Sequence, residues 1–354
     1  MSSPAPDFAM GPACPIPISD YPAVLLAHGG GGRLTQQLIE RMFIPQYHNA
    51  ALGQLHDGAV VEVNGTRIAF STDSYVVHPT FFPGGDIGDL AVNGTVNDLA
   101  MCGATPLYLS SAMIIEEGFS MERLWEVVQS MQRAAQNAGV LLVTGDTKVV
   151  EKGKGDGIFI TTAGIGTVRA GITIGPERAT SGDIVLINGS IGMHGMAIMS
   201  VREGLTFESE IRSDTAALNS LVAAMLEVCP SMHVLRDPTR GGVASALNEI
   251  AQASRAGIVL TEDSIPIPAE VRGACEILGL DPLYVANEGK LLAIIPKEFE
   301  ERVLRAMRSH PLGKDSVAIG QVVDSHPGVV TMKTVIGGSR VVDMLSGEQL
   351  PRIC

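Results

Sequence analysis

Residues 86–104 read DIGDLAVNGTVNDLAMCGA, and apolar residues recur in this stretch at helical spacing behind Asp86, which is placed to cap a helix N-terminus. The flanks are of the other kind. RIAFSTDSYVV (67–77) alternates as a strand up to Asp73, and Pro106 opens a second strand-like run, LYLSSAMII. A helix between strands sets the pattern for the rest of the first half. Ser120 caps an amphipathic helix with Leu124, Val127, Val128, Met131 and Ala135 on one face, closed by Gly139. VLLVTGDTKVV (140–150) reads as a buried strand breaking into a Gly-Asp loop, and IFITTAGIGTV (158–168) as a returning strand.

A second unit starts near residue 180. TSGDIVLINGSIGMHGMAIMSV (180–201) gives strand, Gly-rich turn and helix, followed by a helix around 214–228 and by RDPTRGGVASALNEIAQAS (236–254) as loop into helix. Pro268 opens another helix. KLLAIIP, a charged helix at 297–309 and two strands within 317–335 complete the unit. The chain of 354 residues is long enough for two cores, with the boundary at 170–180. The expected division is an irregular arm at 1–20, a first domain at 21–170, a second at 180–335 and a flexible tail at 336–354. Strands and helices interleave in both halves, so the class is α/β or α+β.

Composition narrows the function. No apolar run approaches the roughly 20 residues needed to span a bilayer, and the N-terminus has neither a basic nor an apolar signal region, which predicts a cytoplasmic protein and no membrane contact. Net charge is −13 with Lys and Arg scattered, against a nucleic-acid surface. An acidic protein that binds a polyanion must use backbone amides and metal ions. The 40 glycines, above the usual roughly 7%, supply the first and the Asp residues the second. The five cysteines are far apart with no C-x-x-C pair, which excludes a disulfide framework and a zinc finger. Cys102, Cys229 and Cys275 sit in apolar contexts and read as core. Only Cys354, at the end of GEQLPRIC (347–354), sits where a core cannot claim it.

Several motifs are candidates for chemistry. HGGGG (28–32) precedes a helix and could hold phosphate oxygens on backbone N–H groups, or be a plain flexible turn. Asp73 and Asp146 fall where strand-like runs end, and Asp86 and Asp98 bracket one helix; as a set they suit Mg2+ on ATP phosphates, while each alone reads as a turn or helix cap. Lys148 follows Asp146 by two residues. Glu288 lies in a polar break, ANEGK. Thr239, Arg240 and the diglycine after them form a second candidate anion site.

Taken together, HGGGGRLTQQLI, STDSYVV, DIGDLAVNGTVNDLAMCGA, GDTKVV, DPTRGGVASALNEIA, NEGK and the terminal LPRIC resemble the HypE family of carbamoyl dehydratases, hydrogenase maturation factors, over residues 23–354. The Gly and Asp motifs resemble the wider superfamily of aminoimidazole ribonucleotide synthetase, selenophosphate synthetase and thiamine monophosphate kinase; the terminal Cys is the specific part. The resemblance implies a two-domain aminoimidazole ribonucleotide synthetase-like fold with a mobile C-terminal tail. It implies a homodimer whose N-terminal sheets form a shared barrel, with ATP in a cleft between domains near the dimer interface. Asp73, Asp98 and Asp146 would hold Mg2+, and Gly30, Gly31, Gly32, Asp86, Asn97 and Arg240 would help bind nucleotide.

Cys354, Lys148 and Glu288 would be catalytic. The implied activity is ATP-dependent dehydration of a carbamoyl group on Cys354 to a thiocyanate, which supplies cyanide to the iron of NiFe hydrogenase. The implied partners are a HypF-type carbamoyltransferase as donor and a HypC–HypD complex as acceptor. The alternatives are a non-catalytic, nucleotide-gated thiol carrier or another ATP-dependent synthetase or kinase of the superfamily. From Gly347 the tail reaches roughly 23–25 Å when extended. Gly337, Gly338 and Gly347 are candidate hinges, and VVDML (341–345) could dock the arm through apolar contacts.

Overall fold

A computed structural model describes residues 23–205, 210–347, 350 and 352–354. The arm at 1–20, with Cys14, lies outside the described residues. The chain enters through a helix, α1 (Arg33–Leu38), that runs through a wider turn at Ile39–Phe43 into α2 (Ile44–Tyr47). Strands β1 (Ala59–Val63) and β2 (Thr66–Tyr75) follow, then a small ribbon of β3 (Phe81–Phe82) and β4 (Gly85–Asp86). Helix α3 (Ile87–Met101), strand β5 (Ala104–Glu116), helix α4 (Met121–Ala138), β6 (Leu141–Val150) and β7 (Ile158–Val168) complete the first domain. Its sheet has the order β1-β2-β7-β5-β6, antiparallel except for the β5–β6 pair.

The stretch that opened the sequence reading is the axis of this domain. Asp86 caps α3 by accepting from Gly88 N (2.6 Å) and Asp89 N (3.3 Å), and Asp89 Oδ1 in turn accepts from Asp86 N (3.0 Å). Nearly every residue of α3 is buried, because sheet, α4 and the second domain enclose it on all sides. The cap Ser120 and the stop Gly139, at φ 72°, frame α4 as the sequence requires.

The second domain adds β8 (Ile184–Ile187), α5 (Met193–Arg202), α6 (Asn219–Val228), β9 (Val234–Arg236), α7 (Gly242–Ser254) and β10 (Gly257–Thr261). It continues with α8 (Ala269–Leu278), β11 (Leu292–Ile295), α9 (Glu300–Arg308), β12 (Val317–Val323), β13 (Val330–Lys333) and β14 (Ser339–Val342). Seven strands form one sheet, β14-β13-β10-β12-β8-β11-β9. The two domains share apolar core: Leu90 and Leu99 of α3 belong to the same cluster as Leu221 and Met225 of α6.

Four expectations change. VLLVTGDTKVV is one continuous strand, and it is exposed along nearly its whole length, because β6 is a sheet edge with no neighbour beyond it among the described residues. The helix expected from about 214 starts at Asn219, and the residues before it are tied to α3 by Asn97, which bonds Ala216 O and Leu218 N. The second sheet runs on into β14, past the expected boundary at 335. Gly337 and Gly338 turn the β13–β14 hairpin and are not tail hinges; Gly347, at φ 81°, keeps that possibility. VVDML docks inward, with Val342, Met344 and Leu345 buried.

Candidate active site

The chain terminus is part of the core. Ile353 and Cys354 are buried at 2% and 8% exposure, so the thiol is claimed by the interior after all, in contrast to the reading from sequence. Backbone pairing seats it: Val76 N donates to Cys354 O (3.0 Å) and His78 N to Arg352 O (3.1 Å), an extension of the chain leaving β2. Arg352 Nε donates back to Val76 O (3.1 Å), and its guanidinium pairs with Asp156. Burial pushes the Cys354 thiol far up, with Arg240 opposing and Glu288 and Asp73 reinforcing the shift.

Glu288 and Arg240 are therefore the thiol's electrostatic neighbours. Glu288 is 3% exposed and its Oε1 accepts no hydrogen bond among the described residues. Burial, then the charges of Asp237, Asp73 and Asp214, hold its carboxyl well above the ordinary range, while Arg240 pulls it down. Its backbone is fixed: Glu288 N donates to Asp214 Oδ1 (3.1 Å), and Asn97 Nδ2 donates to Glu288 O (3.3 Å). Asp214 is in turn paired with Lys290 at 3.1 Å. The Asn97 amide also donates to Ala216 O and accepts from Leu218 N, so in this chain it holds the Glu288 segment and does not face an open cavity. Asp86 is likewise engaged in capping α3 and in accepting from Ser130.

The glycine loop packs against this centre. A Cβ on Gly31 would lie 2.7 Å from Arg240 O, and one on Gly32 would lie 2.4 Å from Leu345 O, so only glycine allows the loop to touch both the Arg240 turn and the docked tail. Arg240 Nη1 donates to Gly29 O (3.1 Å), and Gly30 lines a small pocket with Arg240, Leu345, Leu350 and Ile353.

Beside it opens an acidic cavity of about 350 Å³, lined by Asp57, Asp73, Asp98, Asp237, Thr239 and Arg240 among others. Asp57, Asp98 and Asp237 each offer an oxygen within 4.8 Å of one another. Burial and then their mutual repulsion push the Asp98 carboxyl well up and Asp237 to about 8. Asp73 is also raised, by burial. Three carboxylates, Asp237 buried and Asp57 and Asp98 partly so, with Asp57 Oδ2 accepting no hydrogen bond among the described residues, form a hard-oxygen set that fits a divalent cation such as Mg2+. A second cavity of about 390 Å³, lined by Gly31, Gly32, Thr35, Gln36, His56, Pro176 and Glu249 among others, adjoins the first through His56, Arg236 and Glu249.

Sequence reading missed Asp57 and Asp237. Asp57 precedes a glycine in a loop, an ordinary turn signature, and Asp237 was passed over for its neighbours Thr239 and Arg240.

Asp146 and Lys148 stand apart from this centre. Register pairs Asp146 with Ala112, Ala112 with Thr161, and Thr161 with Ser74. Asp73 pairs with Thr162, one position over and on the other face. Asp146 and Lys148 thus lie on the outer face of the sheet, paired to each other at 2.9 Å and exposed. Within one chain the structure brings Asp73, Asp98, Thr239, Arg240, Glu288 and Cys354 together, and leaves these two outside.

An acidic cleft between two α/β domains, closed by a glycine loop, defines a class. Residues 55–168 match the N-terminal domain of AIR synthase related proteins and residues 180–333 their C-terminal domain. The carbamoyl dehydratase HypE of Azotobacter vinelandii is 55% identical over 332 residues, 94% of this chain and 97% of that protein. A crystal structure of a HypE–HypF complex superimposes with a TM-score of 0.83 at 49% identity, covering 87% of this chain and 99% of the matched one. The hydrogenase maturation protein HypE in complex with ATP gives 0.79 at 49% identity, covering 94% and 100%. The chain belongs to the carbamoyl dehydratase HypE family. Among the described residues no helix is long and apolar enough to cross a membrane.

Proposed function

We propose that this chain dehydrates a carbamoyl group carried on its own Cys354, turning the S-carboxamide into a thiocyanate as the source of cyanide for the iron of NiFe hydrogenase. The seating of Cys354 beside Glu288 and Arg240 carries the reading. Oxide is a poor leaving group, so the carbamoyl oxygen must first be made a good one. That oxygen attacks the γ-phosphorus of ATP and ADP departs. The carbamoyl nitrogen then gives up both protons, its lone pairs complete the C≡N bond, and phosphate leaves with the former carbonyl oxygen. Glu288, buried and with Oε1 unpartnered, is the base for a nitrogen proton; its raised pKa makes it hold the proton once taken. Arg240 balances charge between Glu288, Asp73 and the sulfur.

The adjoining cavities suit a nucleotide, with triphosphate toward the Asp cluster and the glycine loop. Asp57, Asp98 and Asp237, with Asp73 adjoining, would hold Mg2+, which supplies neutralisation of phosphate charge when bound. A homodimer completes the site in this reading. Phe70, Ile165, Tyr108 and Leu141 form one cross-strand row on the outer face, 48%, 38%, 43% and 63% exposed, an apolar stripe suited to a second sheet. Asp146 and Lys148 lie on that same face, so a second copy packed there would lend them to its neighbour's cleft, Lys148 to stabilise charge on the carbamoyl oxygen. A HypF-type carbamoyltransferase is the donor partner, supported by the solved complex of a relative. A HypC–HypD complex is the proposed acceptor.

The test is to carbamoylate the chain, add ATP and Mg2+, and weigh it. Loss of one water from the C-terminal peptide is the expected result. An unchanged mass with ATP bound would leave the chain a thiol carrier and overturn the reading.

A further inference from the structure

The turn GSIGMHG (189–195) opens α5 at the start of the second domain, and its histidine reaches the tail. His194 is fully buried. Its Nε2 lies 2.7 Å from the carbonyl of Ile353, the residue before the reactive cysteine, and its Nδ1 lies 2.8 Å from Ser213 Oγ. A carbonyl can only accept, so Nε2 carries the proton and Nδ1 accepts from the Ser213 hydroxyl. Burial lowers the pKa of the ring and keeps it in this neutral form. Phe82 meets the ring edge-on with centroids 5.5 Å apart, which leaves little freedom for it to swing away.

The same turn is tied to the loop that carries Glu288. Gly192 N donates to Asn287 Oδ1 (2.7 Å) and Gly195 N to Ala286 O (3.1 Å). Side chains would push these two segments apart: Gly192 sits at φ 84°, and a Cβ on Gly195 would lie 2.5 Å from Val285 Cγ1. One turn of helix therefore grips the Ala286 carbonyl and the Asn287 side-chain amide through its N–H groups and the tail through its imidazole.

We propose that His194 is a positioning residue: its Nε2–H bond to the Ile353 carbonyl locks the modified terminus in register with the Glu288 loop, and breaking that bond releases the tail. This rests on the reading of Cys354 as the carrier. The Val76 and His78 bonds use backbone groups that any residues possess, and Arg202, at the far end of α5, donates to Arg352 O. They align the tail but do not connect it to Glu288. The imidazole bond does.

The deciding variants are His194→Phe, which keeps a ring of similar size but has no donor, and His194→Gln, which restores one. The readout is the rate at which iodoacetamide alkylates Cys354, followed on the C-terminal peptide by mass spectrometry, in protein without carbamoyl donor or nucleotide. His194→Phe should raise that rate about tenfold, the effect of one buried hydrogen bond on an opening equilibrium, with ATP affinity unchanged. His194→Gln should restore most of the protection. Wild-type labelling of His194→Phe, or equal labelling of both variants, would overturn the proposal. If His194→Phe loses ATP binding, Ser213→Ala decides, since it leaves the ring in place without the hydroxyl that fixes its tautomer; faster labelling supports the proposal and unchanged labelling rejects it. The assay involves no dehydration, so a wrong assignment of Glu288 as base leaves its outcome intact.

Discussion

Glu288 shows what a single residue gains from its surroundings. A lone Glu in a polar break between apolar runs looks solvated from sequence, yet here it is enclosed by Asp214, Asn97 and the tail with one carboxylate oxygen unpartnered. Glu288→Gln keeps the shape and removes the base, so ATP binding should persist while dehydration falls by at least about a hundredfold, the lower range of a general base's contribution. Single-turnover mass measurement on carbamoylated protein checks it; a near-wild-type rate would remove Glu288 from that role. Arg240 was visible in sequence as a cation beside a diglycine, because composition alone marks an anion site. Asp57 and Asp237 were not, because their meaning comes from meeting Asp98 across domains, and no local pattern encodes a distance between residues so far apart along the chain.

At the level of elements, α3 and its caps were legible and β6 was not. Capping and helical periodicity are local, so Asp86, Ser120 and Gly139 could be placed from their neighbours alone. Whether a strand is central or an edge depends on what pairs beyond it, and Gly145–Asp146 looked like a break for that reason. Asp86→Ala removes the acceptor for two N–H groups and for Ser130, and should destabilise the protein by about 1–2 kcal/mol in chemical denaturation. Leu141→Lys places a charge in the exposed apolar row without touching the inner core. Sedimentation should then show a shift from dimer to monomer, with dehydration lost in step, whereas a dimer that persists would remove this face from the proposed interface.

Across the whole molecule, buried carboxyls set the response to pH. Asp73, Asp86, Asp98, Glu249 and Glu288 are all raised, chiefly by burial, while Asp89 reaches about 7 and Asp237 about 8. Each binds its proton more tightly folded than unfolded. The stability this contributes is complete below the ordinary carboxylate range and is lost as pH climbs through the folded values. The denaturation midpoint of the metal-free protein should therefore fall between about pH 5 and pH 8. Added Mg2+ should offset the loss by binding the folded state alone, and thermal melts with and without the ion would show both effects.

The way Val76 and His78 hold the last residues has a practical side. The slot holds the Cys354 carbonyl on Val76 N and encloses its sulfur. An affinity tag or fusion appended after Cys354 would have to thread through packed interior, so such a label should silence the protein.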